Sequence, residues 1–300
     1  MNIDADVTVI GAGPAGIQAG MHASRKKVSV AIVGKIENSA AYGTHIENHF
    51  GAVGRADGTA LLNDGIRKAE RFGCRVMNEN VISVSREGDR FLTVTESDVR
   101  ITSKTLILAS GIRRNTLGVP GEKELLGNGV SYCASCDCNF YKGKGAVIVG
   151  DESEAASAAE LMTKYASKTY WVIGHVHVSD VMMKRAEASG AEILRGFVKS
   201  INGQTNVESI TLDDGRSVIT DAVFIELGGR SSSDLAMDLD ILPKPDGTVE
   251  ADARGRTAAP GVYACGDIAG RPWQVAKAVG QGAVAGNDAA ENVRGDNAGR

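Results

Sequence analysis

The chain has 300 residues, 43% of them apolar, with a formal net charge of −4 and a sequence pI near 5.8. That length suits two domains, or one domain carrying another as an insertion. The acidic balance gives no electrostatic case for nucleic acid or an anionic membrane, and no apolar stretch approaches the roughly 18 residues that span a bilayer.

In chain order, Val7–Ile10 is a short apolar run with no basic or apolar leader before it, which predicts a cytoplasmic protein. It runs into Gly11-Ala-Gly-Pro-Ala-Gly16, then a helical stretch to about Arg25 and a second strand over Val28–Val33. Gly11, Gly13 and Gly16 fit G-x-G-x-x-G, with Pro14 and Ala15 between. The first glycine makes the tight turn, the second lets backbone approach a pyrophosphate, and the third allows close helix–strand packing. The following helix start then faces phosphate. The second strand of such a unit ordinarily ends in an acidic residue for the ribose, but Val33 is followed by Gly34. Glu37, slightly further on, is the candidate for that contact. No strand is assigned between Gly34 and Asn80. Val81–Ser85 and Phe91–Thr95 read as strands that pair across Gly88 and Asp89, and Lys104–Ala109 as another, ending at Ser110 and Gly111.

A second strand–turn–helix start falls mid-chain: a strand over Gly145–Gly150, a helix over Ser153–Tyr165 and a strand over Thr169–Ile173. Strands are also predicted over Ser209–Leu212, Ala222–Leu227 and Gly261–Cys265. A helix follows from about Trp273 to Asn292, and Arg294–Arg300 reads as a small, polar, mobile tail.

Three of the five cysteines cluster in Cys133-Ala-Ser-Cys-Asp-Cys138. This is no secreted disulfide framework; a C-x-x-C pair in a reducing compartment suggests redox or metal chemistry. A structural zinc needs four ligands, usually from two such pairs. Only Cys74, Cys265 and five scattered histidines remain, so the redox reading leads and no metal site is assigned. Asp137 is placed to move the proton that thiol exchange needs, with a capping or solvated carboxylate as the alternative. Cys74, Cys138 and Cys265 read as packed side chains.

Taken together, the chain resembles the low-molecular-weight thioredoxin reductases. The motifs that carry the resemblance are Gly11-Ala-Gly-Pro-Ala-Gly16, Ile46-Glu-Asn48, Ala109-Ser-Gly111, Val130-Ser-Tyr-Cys-Ala-Ser-Cys-Asp137, Gly261-Val-Tyr-Ala-Cys-Gly-Asp267 and Gln274-Val-Ala276. The resemblance implies an α/β fold of two Rossmann-like, glutathione reductase-type nucleotide-binding domains, the second inserted into the first. An FAD-binding domain would comprise 1–115 and 246–300, with an NAD(P)H-like domain carrying the dithiol over 116–245. It implies a homodimer and a thioredoxin-like protein substrate. FAD would be held by the Gly11–Gly16 loop, Asn48, Ala109, Gly111, Gly266 and Asp267, with the backbone of Gln274 and Val275 near the flavin ring. Cys136 would face the flavin and Cys133 would attack the substrate disulfide.

The resemblance fails where NADPH should bind. The family's second G-x-G-x-x-A loop reads here Gly150-Asp-Glu-Ser-Glu-Ala155. Glu152 replaces the glycine that lets a pyrophosphate approach, and Asp151, Glu152 and Glu154 bring three negative charges. A like-charge pair at 4 Å costs roughly 4 kcal/mol at an effective dielectric of 20. The basic cluster that would grip a 2′-phosphate is replaced by Gly174-His-Val-His-Val-Ser179, whose histidines read as a strand's exposed face. A donor other than NADPH is therefore expected, with ferredoxin or a deazaflavin such as F420 as candidates. Lys142, Lys144, Arg113 and Arg114 are basic residues that a ferredoxin could use. The competing readings are an ordinary NADPH-dependent thioredoxin reductase and a flavin-bound redox sensor without turnover.

Overall fold

The computed structural model describes residues 1–50, 56–111, 116–132, 134–227, 232–244 and 246–298, with the side chains of Cys136, Ser232 and 296–298 outside the description. The chain forms two compact units, Met1–Arg113 with Ser231–Arg300, and Arg114–Arg230.

The first unit opens with β1 (Asn2–Asp4), β2 (Val7–Ile10), α1 (Pro14–Arg25) and β3 (Val30–Val33). It continues with β4 (His45–Ile46), β5 (Ala56–Asp57), α2 (Gly58–Arg71), β6 (Arg75–Met77), β7 (Val81–Glu87), β8 (Arg90–Thr95), β9 (Arg100–Ser103) and β10 (Thr105–Leu108). The second unit contains β11 (Val130–Ser131), α3 (Ala134–Asp137), β12 (Gly145–Val149), α4 (Ser153–Met162), β13 (Lys168–Ile173), α5 (Asp180–Ala188) and β14 (Glu192–Arg195). It ends with β15 (Val198–Asn202), β16 (Ser209–Leu212), β17 (Ser217–Ile219) and β18 (Ala222–Ile225). The chain then returns to the first unit as α6 (Ser232–Met237), β19 (Val262–Ala264) and α7 (Val275–Ala298).

Each unit has the same plan. In the first, an all-parallel sheet in the order β19-β10-β2-β3-β6 has α1 and α7 on one face. The sheet β1-β9-β8-β7 covers the other. Because side chains alternate along a strand, Val7, Val9, Ile32 and Ile107 pack toward the helices, while Ile10, Val33, Leu106 and Leu108 pack toward the second sheet. In the second unit the parallel order is β11-β18-β12-β13-β14. The helix α4 joins Ile148, Trp171 and Phe224 on one face, and β15-β16-β17 covers Val147, Val172 and Val223 on the other. Strands buried on both faces read as continuous apolar runs, which is why β2, β3, β10, β12 and β18 stand out in the sequence. This is the α/β, two-Rossmann fold the resemblance implies.

Three expectations need correction. Among the described residues between Gly34 and Asn80 there are regular elements: Asp57 caps α2 by accepting from the Thr59 amide at 2.9 Å, and β6 joins β3 at the sheet edge. The last helix begins at Val275 and runs to Ala298, so residues 294–298 are helical rather than a loose tail. Asn292 does not end it, because its side chain donates to the Tyr263 hydroxyl at 3.2 Å instead of capping. His175 and His177 lie past the end of β13, in the connection to α5, and not on a strand; both are exposed and their rings stack.

Candidate functional site

In the first unit, the Gly11–Gly16 turn joins β2 to α1. Gly11 takes φ +116°, a conformation that favours glycine, and a Cβ there would fall 2.5 Å from the Ala109 carbonyl. A Cβ on Gly16 would fall 1.8 Å from the Gly11 oxygen, so helix and turn touch backbone to backbone. Gly13 differs. A Cβ there would meet only the Ser39 side chain, its Oγ at 3.3 Å, so no backbone crowds this face of the turn. Gly13 caps α1 without a side-chain bond, Pro14 fills the first turn, and no acidic residue lies there. A helix start with no side-chain cap and no acidic residue in its first turn is suited to an anion. The turn therefore fits a dinucleotide pyrophosphate. Glu37 is exposed in the short 3-10 helix Ile36–Asn38, one element from the turn.

The late motifs converge on the same unit. Gly266 takes φ +82°, and its would-be Cβ lies 2.7 Å from Ala15 Cβ, so the turn after β19 abuts the glycine turn. Burial pushes the Asp267 carboxyl up, against the opposing pull of Lys277. Lys277 Nζ donates to the Gly266 carbonyl at 2.9 Å and also to that of Gly270, tying the 266–270 turn to α7. The Gly266 amide donates to Gln281 Oε1 at 3.1 Å. Asn48 Nδ2 donates to Gln274 Oε1 at 2.7 Å, joining two predicted site residues 226 positions apart, and Val275 begins α7 beside them. Gly111, at φ +75°, has nothing within 4 Å of its would-be Cβ. Lys277, Gln281 and Ser39 were not anticipated. Nothing local in the sequence separates a lysine that grips a turn from one that faces water.

In the second unit, Cys133 lies outside the described residues, as do Arg113 and Arg114. The backbone of Cys136 belongs to α3. Asp137 Oδ2 accepts from the Ser131 hydroxyl at 2.7 Å, and Glu226 Oε1 accepts from the Ala134 amide at 2.8 Å, so a carboxylate is fixed at each end of α3. Phe140, immediately after, is 72% exposed, and Lys142 and Lys144 are exposed beside it. Cys138 is a buried free thiol. Cys74 and Cys265 are buried in the first unit, and burial pushes their thiols up to about 11 and about 12.

The second glycine turn is arranged unlike the first. Asp151 Oδ1 accepts from the Gly174 amide at 2.8 Å, and the Asp151 carbonyl accepts from the His177 amide at 3.0 Å. Ser153 Oγ accepts from the Ser179 amide at 3.3 Å, and Trp171 Nε1 donates to the Gly150 carbonyl at 2.9 Å. The β13–α5 connection is thus laced onto the turn. The Phe197 ring lies over Gly174, where a Cβ would meet it at 2.2 Å. Glu152 stands at the N-cap position of α4 without a side-chain capping bond, and Glu154, 3% exposed, sits in its first turn.

This pairing of one glycine turn suited to a pyrophosphate with a second fold of the same plan defines a two-domain nucleotide-binding type of α/β protein. Residues 5–282 match the family model described as "Pyridine nucleotide-disulphide oxidoreductase", and the chain belongs to that family. It is 32% identical to the bifunctional thioredoxin reductase/thioredoxin of Mycobacterium leprae over 95% of its own length, and spans 65% of that relative. It is 28% identical to the thioredoxin reductase of Treponema pallidum, covering 98% of both chains. Among solved structures, the atypical thioredoxin reductase TRi of Desulfovibrio vulgaris Hildenborough superposes with a TM-score of 0.84 at 29% identity, covering 97% of this chain and 98% of that one. A ferredoxin-flavin thioredoxin reductase of Clostridium acetobutylicum superposes with a TM-score of 0.69 at 30% identity, covering 98% and 100%. The chain is an enzyme, an oxidoreductase of thioredoxin reductase-like kind.

Proposed function

We propose that the chain is an FAD-dependent disulfide reductase that reduces thioredoxin-like proteins through Cys133 and Cys136, with a donor other than NADPH. Unit 1 would hold FAD on the Gly11–Gly16 turn, Asn48, Ala109, Gly111, Gly266, Asp267 and the Gln274–Val275 backbone. When bound there, FAD would supply the two electrons that open the Cys133–Cys136 disulfide. The Cys133 thiolate then attacks the partner disulfide, forming a mixed disulfide and releasing one partner thiolate. Cys136 displaces the second partner thiolate, which restores the Cys133–Cys136 disulfide. The two protons of the dithiol leave on the partner, and Asp137, which accepts from the Ser131 hydroxyl, would pass them. The thioredoxin carried in the name of the Mycobacterium leprae relative supports this choice of partner. Exposed Phe140 beside α3 offers a partner an apolar contact.

The observation that carries the donor reading is the lacing of the second glycine turn. A pyrophosphate needs free amides and open space. Here the Gly174 and His177 amides are taken by Asp151, Phe197 covers Gly174, and Glu152 and Glu154 occupy the helix start. Ferredoxin and a deazaflavin are the donor classes that need no such turn, and the likeness to a ferredoxin-flavin thioredoxin reductase supports the first. We further propose a homodimer.

The test is anaerobic flavin absorbance while NADPH, reduced ferredoxin and reduced F420 are added in turn with thioredoxin disulfide present. Bleaching by a non-pyridine donor, with electrons reaching thioredoxin, is the expected result. Fast bleaching by NADPH would make this an ordinary NADPH-dependent thioredoxin reductase. A dithiol that cycles without passing electrons to thioredoxin would make it a sensor.

A further inference from the structure

The carboxylate at the start of α3 comes from a distant strand. β11, which leads into the dithiol segment, pairs in parallel with β18, and their last paired residues are Ser131 and Phe224. Glu226 lies two residues past Phe224. Its own backbone is fixed: its amide donates to the Val149 carbonyl at 2.8 Å, and its carbonyl lies against Gly150, where a Cβ would fall 2.0 Å away. From that anchored backbone the side chain reaches the Ala134 amide at 2.8 Å. Ala134 is 1% exposed and Glu226 is half-buried, so the amide end of this bond is covered. Among the described residues, the titratable groups on these elements include Tyr132, Asp137, Cys138 and Tyr141 along the segment, and Glu152 and Glu154 at the start of α4, which packs on α3.

We propose that Glu226 is a positioning residue for the dithiol, anchoring the first residue of α3 and placing a fixed negative charge that discourages thiolate formation at the adjacent pair. The inference rests on Cys133 and Cys136 being the redox couple. Two physical effects act in the same direction. The carboxylate occupies the amide that follows Cys133 in the chain, and a negative charge held at that amide disfavours an ionised sulfur on the preceding residue. Reduction of the disulfide takes up two electrons, from the donor through FAD, and two protons, and gives two thiols. Because thiolate formation stabilises the reduced form, a charge that opposes it keeps the couple more reducing. The same residue's carbonyl packs on Gly150, so the laced glycine turn and the dithiol share one support.

The test compares Glu226→Gln, which keeps the hydrogen-bond acceptor and removes the charge, with Glu226→Leu, which removes both. Both are made in the full-length holoenzyme. The readouts are the pH dependence of iodoacetamide alkylation at Cys133 and Cys136, mapped by mass spectrometry, and the dithiol potential in dithiothreitol buffers. Glu226→Gln is expected to lower the alkylation midpoint by about one pH unit and to make the potential less negative, with a smaller loss of Tm than Glu226→Leu. Glu226→Leu is expected to shift both the same way and to lower Tm. A Glu226→Gln enzyme whose alkylation curve and potential overlay the wild type overturns the inference, even if Glu226→Leu is destabilised. If the wild-type pair does not interconvert between dithiol and disulfide in these buffers, the redox reading of the pair falls, and the inference with it.

Discussion

Lys277 is the residue whose role is set most clearly by its surroundings. Burial pulls its ammonium pKa down while Asp267 pushes it up, and it spends its donors on the Gly266 and Gly270 carbonyls. Hydrogen bonds to a charged group are worth about 1.5–3 kcal/mol. Lys277→Met is therefore expected to weaken FAD binding roughly ten- to a hundredfold, read by flavin fluorescence on titrating the apoprotein. A structural lysine unrelated to the cofactor would lower Tm and leave that affinity unchanged. The buried thiols make a second prediction. With their pKa values pushed to about 11 and about 12, Cys74 and Cys265 should resist alkylation at pH 8 in the folded protein and react only after unfolding. Mass mapping of labelled cysteines checks this. At this scale the sequence was partly legible. Asn48 and Gln274 were both singled out from motifs, and they hydrogen-bond to each other. Glu226 was invisible, because its partner Ala134 is 92 positions away and the pairing exists only once β11 lies beside β18.

Among elements, the contact of α1 with α7 depends on absent side chains. A Cβ on Gly282 would fall 2.2 Å from the Ala15 oxygen, and one on Gly286 would fall 2.1 Å from that of Ala19. Gly280, on the same helix, has nothing within 4 Å. The two kinds of glycine should answer alanine with opposite signs. Gly282→Ala is expected to cost about 1–3 kcal/mol by forcing the helices apart, while Gly280→Ala should gain about 0.4–1 kcal/mol by restricting the unfolded chain. Tm shifts of opposite direction would show it. Asp288 fastens α7 to the neighbouring turn and strand, accepting from Arg254, Arg256 and the Tyr263 hydroxyl. Burial pushes its carboxyl up, but the Arg256, Tyr263 and Arg254 bonds outweigh that and hold it below the usual range. A carboxyl held low in the folded state lends stability above its unfolded pKa of about 3.9 and loses it as pH falls through the lower folded value. Thermal melts should therefore show wild type losing Tm below about pH 4, with Asp288→Asn less stable at pH 7 but flatter in acid. Elements buried on both faces, such as β2 and β12, were readable from their apolar runs. The short strands β1, β9, β14 and β17 were not, because neighbours and not their own pattern hold them. The Asp57 cap ahead of α2 was a local signal that went unread.

At the scale of the whole molecule, each unit has its own cores, and that makes their independence testable. A fragment spanning Arg114–Arg230 should unfold as one cooperative transition by far-UV circular dichroism. A chain stopped at Arg230 should keep that transition while unit 1 remains open to protease. Loss of all cooperative unfolding in the shorter fragment would show that unit 2 needs unit 1. The two-fold plan was legible from the paired strand–turn–helix starts at Val7 and Gly145. The closure of the second glycine turn was not, since Phe197 and Gly174 meet only in three dimensions. The discontinuity of unit 1 also bears on how the protein is made. β10 receives its neighbour β19, and α1 its partner α7, only from chain that leaves the ribosome after the middle unit. During synthesis the middle unit can settle while the first waits with a bare strand edge and an uncovered, alanine- and glycine-rich helix face. That interval is when an emerging chain is exposed to wrong pairing, and it is when a chaperone would find most to hold.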